Sequence, residues 1–222
     1  MATQAELFAD ARKRMVDSQI RPNRVTDPRI LAAMRRLPRE RFLPHAAVPL
    51  AYADEDVPLG HGRYMLEPMV LARLLQAATL REHERVLVVG ANTGYSAAVL
   101  AACGCRVVAL EEDPALLAIA EAILPQEAPG VTLASGPLGA GWPGHAPYDL
   151  ILIEGAVPAV PPALAAQLHQ ETGRLLTAIC CDGRATRAVQ CEVTAGGPGM
   201  TAIFDCNTPP IPSLRRAPVF EF

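Results

Sequence analysis

The apolar run from Val86 to Val89, which ends at Gly90, is the most informative hydrophobic pattern in the chain. A run without polar alternation suits a parallel strand covered on both faces. Gly90 and Gly94 bracket the turn that follows, where the backbone can come close to a ligand, and residues 96–100 resume at helical spacing. A second β-like run over 107–110 ends in Glu111 and Glu112. That places a carboxylate about 20 residues beyond the first glycine, where nucleotide-binding sheets hold an acid against ribose hydroxyls. Strand, turn, helix and acid in this register predict a site for a nucleoside-type cofactor.

Around that unit the pattern alternates between helix and strand. Helices are predicted over 5–15 and 27–36, the second capped by Asp27 with Pro28 at its first position. Leu31, Met34 and Leu37 recur at helical spacing before Pro38 ends the run. Residues 39–62, rich in proline, glycine and acid, read as an extended crossing loop, and 68–78 and 114–124 as helices. Strands follow over 131–133 and 147–153, the latter ending at Glu154-Gly155; then come a helix over 161–169 and a strand over 173–180. Beyond that point strands over 185–193, 200–204 and 219–222 follow one another through Gly/Pro turns with no helix between them. The predicted fold is α/β: a Rossmann-like sandwich of the class I methyltransferase type, mainly parallel and finished by antiparallel strands, behind an N-terminal helical extension. An antiparallel ending suits an S-adenosylmethionine-dependent methyltransferase better than a dinucleotide dehydrogenase, which would continue with βα units. A single domain spans 1–222, with N-terminal helices and loop over 1–62 and the core over 63–222.

Composition narrows the picture. With 222 residues, 50% of them hydrophobic and 19% charged, the chain is globular rather than disordered. A net charge of −3 argues against general binding to nucleic acid or acidic membranes. The arginines before His45 are interleaved with Glu6, Asp10, Asp17, Asp27 and Glu40, the mark of a solvated helical face. The first ten residues lack the apolar stretch of a secretion signal, and no apolar run approaches the about 18 residues of a membrane span. A cytoplasmic location is expected. The six cysteines show no zinc-type C-x-x-C spacing, so buried reduced thiols are expected and no metal site.

Several segments resemble the protein-L-isoaspartate O-methyltransferase family. RMVDSQI at 14–20 is similar to its N-terminal helix, and LPRERFLP at 37–44 to its V-P-R-E-x-F-V-P stretch. AYADEDVPLGHG at 51–62 resembles the segment leading into the active-site loop, and PYDLILIEGAVPAVPPALAAQL at 147–168 the strand and helix after the third motif. The resemblance implies S-adenosyl-L-methionine as cofactor and methylation of isoaspartyl carboxylates in damaged proteins, hence protein repair. Gly90, Ala91, Asn92, Gly94, Glu111, Pro137 and Leu138 fall at its cofactor positions, and Arg63, Tyr64 and Leu66 in its active-site loop. Departures lie in the same places. Where the family has Q-T-I-S-x-P, this chain has Arg63, Tyr64, Met65, Leu66, Glu67 and Pro68, so Leu66 stands at the serine. Val88 replaces the acid of V-L-E-I-G, and Gly136-Pro137-Leu138 the family's G-D-G.

A carboxylate acceptor is already ionised at neutral pH, so methyl transfer to it requires alignment and exclusion of water more than a strong base. Losing one donor at Leu66 costs roughly 1–3 kcal/mol if the acceptor is left unpaired. Arg63 can grip a carboxylate at two points and Tyr64 can donate one hydrogen bond, which would select an anionic or phenolic acceptor. Alternatively, Tyr64, Met65 and Leu66 pack as an apolar lid. Three functions follow: an isoaspartyl methyltransferase acting on protein or a small-molecule acceptor, an inactive or re-purposed paralogue binding a metabolite or protein partner, and, least favoured by the G-x-x-x-G turn, an NAD oxidoreductase. His61, Glu67 and the acidic run Asp54-Glu55-Asp56 are secondary candidates, each with a bland reading as loop or cap.

Overall fold

Thr3 opens the first helix, α1 (Gln4–Met15), with a reciprocal cap: its hydroxyl accepts from the Glu6 N–H, and the Glu6 carboxylate accepts from the Thr3 N–H. The computed structural model describes residues 3–181, 185–194 and 197–215. A π-helical turn, Val16–Ile20, and a 3-10 turn, Arg21–Asn23, carry the chain to α2 (Pro28–Arg36), where Asp27 caps the Arg29 N–H as anticipated. Residues 39–62 are not an extended loop. They form 3-10 helices at Arg39–Phe42 and His45–Leu50 and then β1 (Val57–Gly60), which pairs antiparallel with β2 (Arg63–Met65). Phe42, Leu43, Ala47 and Ala51 are buried there, and short helical turns between the prolines let them reach the core. A division at Gly62 therefore runs through a hairpin.

Next come α3 (Pro68–Ala78), β3 (Arg85–Val89), α4 (Tyr95–Ala102), β4 (Arg106–Glu111), α5 (Pro114–Glu127) and β5 (Thr132–Ser135). The chain then adds β6 (Leu150–Val157), α6 (Pro162–Ala165), β7 (Arg174–Cys181), β8 (Ala185–Thr194) and β9 (Gly197–Cys206). Among the described residues the main sheet has seven strands in the order β5-β4-β3-β6-β7-β8-β9, parallel as far as β7 and antiparallel from β7 to β9. The order reverses beside β3: β4 and β5 extend one way and β6 returns on the other side. Open α/β sheets bind their ligands at such a switch point, outside the carboxyl ends of the strands.

Two further expectations are corrected. Strand β6 continues through Glu154-Gly155 to Val157 because the C-terminal segment pairs with it: Ala156 N–H donates to Pro209 at 2.9 Å and Ile211 N–H to Ala156 at 3.0 Å. The helix expected over 161–169 ends early because Tyr148 captures its last turn, donating to Gln167 O and accepting from His169 N–H, each at 2.8 Å. The strand expected over 219–222 lies outside the described residues.

Alternation along β3 divides the core. Val86 and Val88 face the layer that holds α1 to α5, whereas Leu87 and Val89 face α6, Leu138 and Ile211. The basic N-terminal segment forms ion pairs, Arg12 with Glu40, Arg29 with Asp27, Arg35 with Asp17 and Arg41 with Glu127; the expected solvated face holds for Arg35 and Asp17, whereas Arg12 and Glu40 are largely buried and Arg39 fully so. Among the described residues no helix is long and apolar enough to cross a membrane.

Candidate functional site

The turn after β3 is held by its own backbone. Gly90 and Ala91 N–H groups both donate to Leu110 O, at 2.9 and 3.0 Å, and Gly94 N–H closes the turn onto Ala91 O at 2.8 Å. Gly90 and Gly94 have φ of 70° and 94°, which a side chain disfavours. A Cβ at Gly94, which caps α4, would stand 3.0 Å from the Leu124 side chain of α5, so close packing of the two helices adds to the preference for glycine there. Glu111, at the end of β4, is fully buried and reaches back across the crevice. Its Oε2 accepts from Asn92 N–H at 2.7 Å; its Oε1 accepts from Glu112 and Asp113 N–H at 2.8 and 2.9 Å. Turn and acid thus meet at the switch point as the register predicted.

Arg63 occupies the space between them. From β2 its Nη1 and Nη2 donate to Glu111 Oε1 and Oε2 at 2.8 and 2.9 Å, a two-pronged pair only 5% and 0% exposed. A Cβ on Gly90 would lie 2.8 Å from Arg63 Nη2, 3.2 Å from Ile211 Cδ1 and 3.5 Å from Leu138 Cδ1. The close approach that glycine permits is therefore taken up by the chain's own side chains. Tyr64, half-buried, contributes its carbonyl to Asn92 Nδ2 at 3.0 Å. Leu66 is buried, matching the packed-lid reading for that residue, and its carbonyl accepts from Arg39 Nη2 at 2.7 Å.

Beside this pair lies a cavity of about 10 Å3, room for one water, lined by Arg63, Tyr64, Leu66, Glu154, Thr208 and Ile211 among others. Glu154 lies within β6, one residue past the Val89–Ile153 pair and so level with Gly90 at the switch point. Burial pushes its carboxyl up to about 8, despite the opposing pull of Ser96, Asn92, Arg63 and Arg39, so it is largely protonated at neutral pH. Glu154 Oε2, Thr208 Oγ1, Ser96 Oγ and Asn92 Oδ1 are all buried without a hydrogen-bond partner. Glu67 is raised to about 7, by burial first and then by Asp54 and Asp56; its side chain caps nothing.

The remaining candidates fall at the rim. Leu138 is buried and its N–H donates to Glu112 Oε2 at 3.3 Å, while Pro137 is exposed. His61 points outward to Asp113, which also caps α5. Asp56 accepts from Glu67 N–H, and among the described residues no cluster of side chains suits a metal ion. Cys103, Cys105, Cys191 and Cys206 are free thiols, the first two raised by burial to about 12 and 11.

Sequence reading passed over two groups that shape this site. Arg39 is fully buried; it donates to Ala51 O and Leu66 O and lies 4.9 Å from the centre of the Tyr95 ring. Glu154, which the sequence pattern marks only as the end of a strand, is the second. An ionisable residue following an unbroken apolar run was the available signal in both the β4 and β6 segments, and it was used only for Glu111.

The sequence profile of the family described as Protein-L-isoaspartate(D-aspartate) O-methyltransferase matches residues 10–196. The chain is 41% identical over 192 residues to Protein-L-isoaspartate O-methyltransferase 1 of Rhodopseudomonas palustris strain HaA2, covering 86% of this chain and 78% of the relative. With the Protein-L-isoaspartate O-methyltransferase of Methylorubrum extorquens strain PA1 it shares 44% over 168 residues, 76% of this chain and 73% of the other. A solved protein-L-isoaspartate O-methyltransferase superposes over 92% of this chain and 67% of its own, with TM-score 0.79 and 23% identity. A Plasmodium falciparum structure described as a beta-aspartate methyltransferase in complex with S-adenosyl-L-homocysteine superposes over 91% and 98%, with TM-score 0.77 and 17% identity. These two likenesses bear on the fold alone.

Proposed function

The chain belongs to the protein-L-isoaspartate O-methyltransferase family, and from that premise we propose that it methylates isoaspartyl carboxylates of damaged proteins with S-adenosyl-L-methionine as cofactor. The observation that carries this reading is the meeting of the Gly90–Gly94 turn and the buried Glu111 carboxylate at the switch point. The residues fit such a cofactor in kind. Glu111 has two oxygens directed at the crevice, where a ribose diol needs two acceptors, and Gly90 presents no side chain of its own. Leu138 offers an apolar wall at the family's adenine position, where no acid remains.

The cofactor supplies an electrophilic methyl group on sulfonium. The chain's part is alignment. Glu111 would orient the nucleoside, the hairpin from β1 to β2 brings Tyr64 and Leu66 to the acceptor side, and the cavity there has room for no more than one water. Because the acceptor carboxylate is already ionised, no group has to remove a proton from it. Free thiols at Cys103 and Cys105 suit a reducing compartment, which supports a cytoplasmic setting. Methyl transfer from labelled S-adenosylmethionine to an isoaspartyl peptide, with the aspartyl peptide as control, tests the reading. Glu111→Gln should weaken S-adenosylhomocysteine binding by about tenfold or more, as loss of a charged acceptor does. No labelling and no S-adenosylhomocysteine binding by the unmodified protein would refute the assignment and favour a re-purposed, non-catalytic relative.

A further inference from the structure

Arg63 holds a carboxylate in two-point contact, and in this structure the carboxylate is the cofactor's own anchor, Glu111. We propose that Arg63 is the clamp for the acceptor carboxylate, kept on Glu111 until the cofactor's ribose takes its place, so that the acceptor binds after the cofactor. The inference rests on the proposed function and names a residue that acts in it.

Hydrogen bonding balances in the exchange. Glu111 keeps its backbone donors, Asn92, Glu112 and Asp113 N–H, whatever Arg63 does. Two guanidinium N–H groups leave its oxygens and two ribose hydroxyls can replace them, so neither oxygen is stranded. Guanidinium and ribose cannot hold Glu111 in the same way at once, because Arg63 already takes both carboxylate oxygens and its Nη2 lies 2.8 Å from where a Gly90 Cβ would be. A guanidinium released inside a site that leaves it 5% exposed is costly to leave without an anion. The carboxyl that lines the same cavity, Glu154, offers Oε2 without a partner but is held largely in the acid form by burial. The fork therefore has its charge free for an outside carboxylate entering beside Tyr64 and Leu66, which line the same cavity. The acceptor class follows from this chemistry. It is an anion with two coplanar oxygens, such as the isoaspartyl side chain, in preference to a phenol or an amine.

Calorimetric titration of the unmodified protein and of Arg63→Ala and Arg63→Gln tests the idea, with melting temperatures as a check on folding. In the unmodified protein an isoaspartyl peptide should bind about tenfold or more tightly with S-adenosylhomocysteine present than without it, within the range of coupling between linked sites. Each variant should bind S-adenosylhomocysteine about tenfold more tightly, because the ligand no longer has to break the ion pair, and should show a peptide KM raised by a similar factor. Those opposite signs are not the signature of a merely structural residue. Peptide binding indifferent to S-adenosylhomocysteine, or variants that bind it no better, would overturn the proposal. An unchanged peptide KM would overturn the clamp. S-adenosylhomocysteine binding by neither protein nor variant would instead remove the proposed function and this inference with it. If Arg63→Ala fails to fold, Arg63→Gln and the unmodified protein carry the same comparison.

Discussion

Glu154 shows how one residue can set a pH dependence for the whole fold. Its folded carboxyl is raised to about 8, whereas an unfolded glutamate titrates near 4.5, so between these values the native state holds a proton that the unfolded chain releases. Stability from this group is fully present below the unfolded value and is lost as pH rises through about 8. Glu67, raised to about 7, adds to the same trend. Melting temperatures should fall between pH 5 and pH 8, and Glu154→Gln, which is neutral throughout, should flatten much of the slope. An unchanged slope in that variant would show that the burial of Glu154 does not control it. Neither the shift nor the unpaired Oε2 was legible along the chain, since both come from burial of Glu154 among separate elements of the completed fold, with Ser96, Asn92, Arg63 and Arg39 only opposing the shift.

Elements fix how such residues are aimed. The hairpin from β1 to β2 has two strands only and would be marginal alone. Arg39 anchors it by donating at 2.8 Å to Ala51 O before the hairpin and at 2.7 Å to Leu66 O after it. Arg39→Met keeps much of the bulk but leaves both carbonyls without their donor, and should destabilise by about 1–3 kcal/mol in urea unfolding. Faster amide exchange at Met65 and Leu66 should accompany it; protection equal to that of the unmodified protein would contradict the anchoring role. Strands and helices of the parallel core were legible because their apolar runs are long and punctuated by Gly90, Pro114 and Asp113. Residues 39–62 were not, because proline-rich segments carry no period, and their 3-10 turns form only when Phe42 and Ala47 find a core.

At the scale of the molecule, the two ends of the sheet are stabilised differently. The carboxyl ends carry the site, with its Arg63–Glu111 pair. The opposite ends are joined by a second buried pair, Arg174 Nη1 and Nη2 to Glu84 Oε1 and Oε2 at 3.0 and 2.8 Å; Arg174 also donates to Ala78 O and Asp149 O. Arg174 thereby joins the start of β7 to the end of α3, the loop before β3 and the approach to β6. Removing one member of a buried pair strands the other, so Arg174→Ala should cost about 3–5 kcal/mol in thermal or chemical unfolding. Because this pair lies at the far end of the sheet, S-adenosylhomocysteine affinity should change little in whatever fraction remains folded. A selective loss of ligand affinity without a loss of stability would contradict this division of labour.

Local pattern alone determined the alternating α/β order, the antiparallel finish, the Gly90–Gly94 turn and the acid at Glu111. These follow from period, propensity and short-range spacing, which are properties of neighbouring residues. Tertiary structure decided what fills the crevice. Arg63 is 48 residues from Glu111 in sequence, and Ile211 comes from the segment after β9. No periodicity links such positions, because a buried charge takes whichever opposite charge the completed fold brings within reach.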